Sequence, residues 1–88
     1  MTQPPITLYV TAWCPYCQRA KQLLTEKKLV FTEIDVDSDA KLRQEMNARS
    51  GRRTVPQIFI GENHVGGCDD LIALEGRGEL DRLIEGAR

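Results

Sequence analysis

The chain has 88 residues with 12 basic and 13 acidic side chains, a formal net charge of −1. That balance creates no broad field to draw nucleic acid or an anionic membrane surface, and no apolar run approaches membrane-spanning length. At this length surface scaling buries roughly 60 to 65% of the unfolded chain's surface, so one domain over residues 1–88, acting as a monomer, is the expectation.

Met1 is followed by Thr2, Gln3, Pro4 and Pro5, without the basic and apolar regions of a secretory leader. Three cysteines are too few, and odd in number, for the disulfide framework of a secreted mini-protein. Both observations predict a cytoplasmic protein whose disulfide chemistry is catalytic rather than structural.

Pro5 marks the start of a first strand, in which Ile6, Leu8 and Val10 alternate with Thr7, Tyr9 and Thr11. Cys14-Pro15-Tyr16-Cys17 follows directly. A first helix then carries Cys17, Ala20, Leu23, Leu24 and the stem of Lys27 on its buried face, with Gln18, Arg19, Lys21 and Gln22 toward water. Phe31 to Val36 reads as a second strand; strand, helix and strand so close together predict a parallel pair joined by a right-handed crossover. Asp39 opens a polar helix with Leu42 and Met46 inward and Gly51 at its end. Gln57 to Ile60 and His64 to Gly66 flank the turn Gly61-Glu62-Asn63 as a hairpin. After Gly66-Gly67, Asp69 and Asp70 sit where a helix N-terminus favours acid, and Leu71, Ile72, Leu74, Leu80, Leu83 and Ile84 supply a C-terminal helical region interrupted at Gly76 and Gly78. This order predicts an α/β fold, a four-stranded mixed sheet flanked by helices on both faces.

Two thiols three positions apart at the start of a helix can form and pass on a disulfide, and Cys-x-x-Cys in a strand-to-helix context reads as a redox motif. Cys14 falls at the helix N-terminus, where unsatisfied amides and the dipole favour a thiolate, so it is the expected nucleophile. Cys17, a turn further in, is the expected resolving thiol.

Three separated segments, Cys14-Pro15-Tyr16-Cys17, Thr54-Val55-Pro56 and Gly66-Gly67-Cys68-Asp69-Asp70, together resemble a glutaredoxin, and the resemblance runs from Ile6 to about Ile84. It implies a thioredoxin fold, glutathione as co-substrate, no resident metal or prosthetic group, and protein-glutathione mixed disulfides or protein disulfides as substrates. It also implies a cis bond before Pro56 that places the Val55 backbone beside Cys14 to pair with the cysteinyl unit of glutathione, and Tyr16 at the groove's aromatic edge. Gly67, Cys68 and Asp69 would take the γ-glutamyl end, amides on its carboxylate and Asp69 on its ammonium. The family's basic residue three before the nucleophile is replaced here by Thr11, which leaves Arg53, or secondarily Arg52, to supply charge beside Thr54. Trp13 is more thioredoxin-like than glutaredoxin-like, and partial exposure is expected of it.

Other readings of the same residues stay open at this point. Cys14, Cys17, His64 and Cys68 could be zinc ligands, or the first cysteine could hold an iron-sulfur cluster. Asp69 could be a plain helix cap, His64 an edge residue, Cys68 a small structural residue, and the whole a thioredoxin-like carrier reduced by a flavoprotein.

Overall fold

A computed structural model describes residues 3–86. Its elements run β1 (Ile6–Val10), α1 (Pro15–Glu26), β2 (Thr32–Asp35), α2 (Ala40–Ser50), β3 (Gln57–Ile60), β4 (Asn63–Gly66), α3 (Cys68–Gly76) and α4 (Leu80–Gly86). The strands form one sheet in the order β2-β1-β3-β4. β1 pairs in parallel with β2 and antiparallel with β3, and β3 pairs antiparallel with β4.

Strand alternation sends side chains to two separate cores. Ile6, Leu8, Val10, Ile58 and Ile60 meet Cys17, Ala20 and Leu24 of α1, Leu71 of α3, and Leu80 and Ile84 of α4. Tyr9 and Phe59 point the other way and pack with Val36 and with Met46 of α2, against partly buried Leu42 and Ile34. Three helices thus cover one face and α2 the other, the two-sided cover expected of a sheet with a parallel pair.

Local chemistry explains the boundaries. Asp39 caps α2 by accepting the Lys41 amide, and Gly51 ends it in the left-handed conformation at φ 71°. α1 stops at Glu26, and Lys27 turns its ammonium to Glu75 and Asp81 at 2.9 and 3.0 Å, pinning α1 to α3 and α4. Arg77, Gly78 and Glu79 separate α3 from α4; of the two glycines expected to interrupt, Gly78 lies in the break at φ 71° and Gly76 is the last residue of α3.

The expected edges move slightly in two strands. β2 is shorter than Phe31 to Val36, because Phe31 turns into the larger core while Val36 adds only one bond, donating its amide to Val10 at 3.0 Å. β4 begins at Asn63, which pairs with Ile60, so the hairpin turn is Gly61-Glu62 alone. Lys21, expected to face water, instead pairs with Glu33 of β2 at 3.0 Å.

Candidate active site

Cys14 is the N-cap of α1, in extended conformation with Pro15 in the first helical turn. Proline suits that place because its missing amide hydrogen would have had no helical partner. Capping usually falls to a side-chain oxygen; here the Cys14 sulfur takes the role, accepting the Cys17 amide at 3.1 Å. An N–H directed at sulfur at the positive end of a helix favours the thiolate. The protonated sulfur can also donate to the Val55 carbonyl at 3.8 Å, so Val55 and Cys14, the expected nucleophile, are in contact across 41 positions. The Val55–Pro56 bond is cis.

The two thiols differ sharply in environment. Cys17 has no exposed surface and Cys14 keeps a small opening, 8%. Burial, followed by its hydrogen bond to Cys14, pushes the Cys17 thiol up to about 12. Cys68 is buried too, and desolvation raises its thiol above the ordinary value.

Two depressions flank Cys14. A groove of about 360 Å³ is lined by Tyr16, Arg52, Thr54, Val55, Pro56, Gly67, Cys68, Asp69 and Asp70. A second hollow of about 300 Å³ is formed by Ala12, Trp13, Cys14, Pro15 and Gln18. Cys14 belongs to the hollow's lining and reaches the groove through Val55. Trp13 is 95% exposed, well beyond the partial exposure expected, because it lies in the turn between β1 and α1 with no core to enter.

Arg53 is exposed and its carbonyl accepts from Arg43, whereas Arg52 is the arginine on the groove wall. Arg52 is held there by an ion pair with Asp70 at 3.0 Å, and its backbone is tied to the Ser50 hydroxyl. Asp69 is not the cap of α3. Gly67 occupies that position, and Asp70 reaches back to accept the Gly67 amide at 2.9 Å. These two contacts, the amide first and Arg52 second, hold the Asp70 carboxyl below its ordinary value. Gly67 has no side chain to cap the helix, so the Cys68 and Asp69 amides meet the groove without a cap oxygen. Gly66 sits at φ 116°, and a Cβ there would overlap the Asp70 carboxylate.

Sequence reading assigned no role to Asp70 beyond its charge and none to Gln57, which among the described residues is the one fully buried polar side chain. The Gly-x-x-Asp spacing of a capping box was a usable signal for Asp70. Arg52 was only the second choice after Arg53, since the Asp70 partner that holds it on the groove wall is 18 positions away. His64 is stacked on Phe59, ring centres 4.9 Å apart, and bonded to Gln57 at 2.7 Å. Among the described residues no three His, Cys, Asp or Glu side chains are grouped to hold a metal ion. Nor is any described helix long and apolar enough to cross a membrane.

A glutaredoxin family model matches residues 6–65, a span that includes both cysteines and the Thr54-Val55-Pro56 segment. The chain belongs to the glutaredoxin family. A glutaredoxin of Pseudomonas aeruginosa is 59% identical over 81 residues, covering 92% of this chain and 96% of that protein. The solution structure of a glutaredoxin from Brucella melitensis superposes with a TM-score of 0.87 at 51% identity, covering 100% of this chain and 96% of that one. A buckwheat glutaredoxin-glutathione complex reaches a TM-score of 0.86 at 27% identity, over 97% of this chain and 79% of the other. The fold is therefore the thioredoxin fold of glutaredoxins, and the role is that of a thiol-disulfide oxidoreductase.

Proposed function

We propose that this glutaredoxin is a glutathione-dependent disulfide oxidoreductase acting through Cys14 and Cys17. The observation that carries the reading is the position of the Cys14 sulfur, on the Cys17 amide and against Val55 of a groove lined by Tyr16, Thr54, Val55, Pro56, Gly67, Cys68 and Asp69. The groove's size lies within the range of small-ligand sites and suits a tripeptide. In support, a structurally similar glutaredoxin has been solved as a glutathione complex.

In this mechanism the Cys14 thiolate attacks the glutathione sulfur of a protein-glutathione mixed disulfide. A Cys14–glutathione disulfide forms, the disulfide bond between the protein's sulfur and the glutathione sulfur breaks, and the departing protein thiolate takes a proton from water. A second glutathione thiolate then attacks the glutathione sulfur on Cys14, releasing oxidised glutathione and the Cys14 thiolate. On a protein disulfide, the Cys14 thiolate first attacks one of its sulfurs, forming a Cys14–protein mixed disulfide and freeing the other protein thiol. Cys17, losing its proton, then attacks the Cys14 sulfur, expelling the reduced protein and leaving a Cys14–Cys17 disulfide for two glutathiones to reduce. The γ-glutamyl carboxylate would rest on the Cys68 and Asp69 amides at the start of α3, its ammonium against Asp69, with Arg52 or Arg53 near the glycine end. The whole cycle takes place within one cytoplasmic domain and uses no resident cofactor.

A thioredoxin-like carrier reduced by a flavoprotein is the competing reading, favoured by the exposed Trp13 beside Cys14. One assay separates the two: reduction of a small glutathione mixed disulfide with glutathione plus glutathione reductase, against thioredoxin reductase alone. Turnover in the first system is expected. Turnover confined to the second would overturn the glutathione reading.

A further inference from the structure

Gln57 is fully buried one residue after Pro56, at the start of β3. Its amide nitrogen lies 3.0 Å from the Thr54 carbonyl and 3.1 Å from the Thr54 hydroxyl. A carbonyl can only accept, so the group facing it must be the Gln57 NH2, which leaves Oε1 directed at His64 Nε2, 2.7 Å away. An amide oxygen can only accept as well. His64 must therefore carry its proton on Nε2, and the tautomer follows from Thr54, three residues before Gln57. The ring is fixed on its flank by Phe59, against which the Arg49 guanidinium also lies, 4.2 Å from the ring centre. Burial, then the charge of Arg52, lowers the His64 pKa, which keeps it neutral near pH 7.

Thr54 belongs to the irregular segment between α2 and β3 that forms one wall of the groove, next to the Val55 carbonyl that touches the nucleophile. No ladder bonds hold an irregular segment, so its conformation depends on such side-chain ties. At its N-terminal end the ties are Ser50 to Arg52 and Arg52 to Asp70; at its C-terminal end they come from Gln57.

We infer that His64 is a positioning residue for the groove: through Gln57 it fixes Thr54 and the Val55 backbone in the geometry that receives the substrate. His64 is not among the residues that line the groove and bonds to Gln57 rather than to either thiol, so its effect should fall on binding and leave thiol chemistry alone. The inference rests on the glutathione reading of the groove.

The experiment compares wild type with His64→Phe, which keeps a ring on Phe59 but has no N–H, and His64→Gln, which restores an N–H donor. Substrate is a glutathionylated peptide reduced by glutathione. In His64→Phe, loss of one relayed hydrogen bond should raise KM about two- to tenfold while kcat and the rate of Cys14 alkylation by iodoacetamide stay unchanged. His64→Gln should recover most of the KM. In parallel, the Gln57 side-chain amide, followed by NMR, should exchange with solvent faster in His64→Phe than in wild type. A fall in melting temperature with KM unchanged would make His64 a stabilising contact only and overturn the inference. So would a parallel loss of alkylation rate, or no recovery with His64→Gln. If wild type itself fails on the peptide, the glutathione reading fails, and the Gln57 exchange rates still decide the relay.

Discussion

The Cys17 amide donates to the Cys14 sulfur at 3.1 Å, while the Cys17 thiol itself has no exposed surface and is pushed up to about 12. In the proposed cycle one residue therefore supports the nucleophile through its backbone and withholds its own sulfur until a disulfide forms on its neighbour. At neutral pH Cys17 is protonated, and it must lose that proton as it attacks.

Unequal outcomes should follow for the two cysteines. Cys14→Ser should lose all exchange. Cys17→Ser should still reduce a glutathione mixed disulfide, since its backbone amide remains, yet lose reduction of protein disulfides. Product analysis by mass spectrometry checks this, and equal loss in both variants on the glutathione substrate would refute the monothiol route.

Asp70 should make stability sensitive to acid. Its folded pKa is depressed by the Gly67 amide and Arg52, so its contribution is present above the unfolded carboxyl value of about 3.9 and is lost as pH falls through the lower folded value. Asp70→Asn keeps an oxygen for the Gly67 amide but loses the charge. Wild type should melt higher than Asp70→Asn at pH 7, and the gap should close below about pH 4. A gap that is constant with pH would show that the charge contributes nothing.

Gly66→Ala combines an unfavourable positive φ with a methyl group placed on the Asp70 carboxylate. A cost of about 1 to 3 kcal/mol is expected, read as a lower denaturant midpoint. Because Asp70 must move, the groove should also bind glutathione substrates more weakly. Gly76→Ala, with nothing near its Cβ, is the control and should be close to neutral.

The groove's cation is Arg52, and Arg53 lies outside the lining. Arg52→Ala should therefore raise KM for glutathionylated peptide more than Arg53→Ala does. The reverse order would place the glycine end of glutathione against Arg53.

Thr11→Lys should place an ammonium beside the cysteines and favour the thiolate of Cys14. Faster alkylation by iodoacetamide below neutral pH is the expected result. An unchanged profile would mean that the helix terminus alone governs the nucleophile. Trp13→Ala, by contrast, removes a side chain 95% exposed, so stability should change by no more than about 0.5 kcal/mol.

Local rules made much of the architecture readable from sequence. Alternating apolar residues in Ile6 to Val10, the cap at Asp39, the left-handed stop at Gly51 and the break at Gly78 each concern neighbours within a few positions, where side-chain period and backbone preference act. The cysteine pair was legible for the same reason: a helix-start thiol and its resolving partner are one turn apart. What sequence could not decide was every contact whose partner lies far along the chain. Asp70 selects Arg52 over Arg53 from 18 positions away, Val55 meets Cys14 across 41, a contact anticipated only through the family resemblance, and Trp13 stays outside both cores because the turn carrying it faces solvent. Gln57, a polar residue in an apolar strand, becomes intelligible only when β4 brings His64 to it and the preceding segment brings Thr54. A buried amide needs partners on all its polar atoms, and only the folded sheet supplies them.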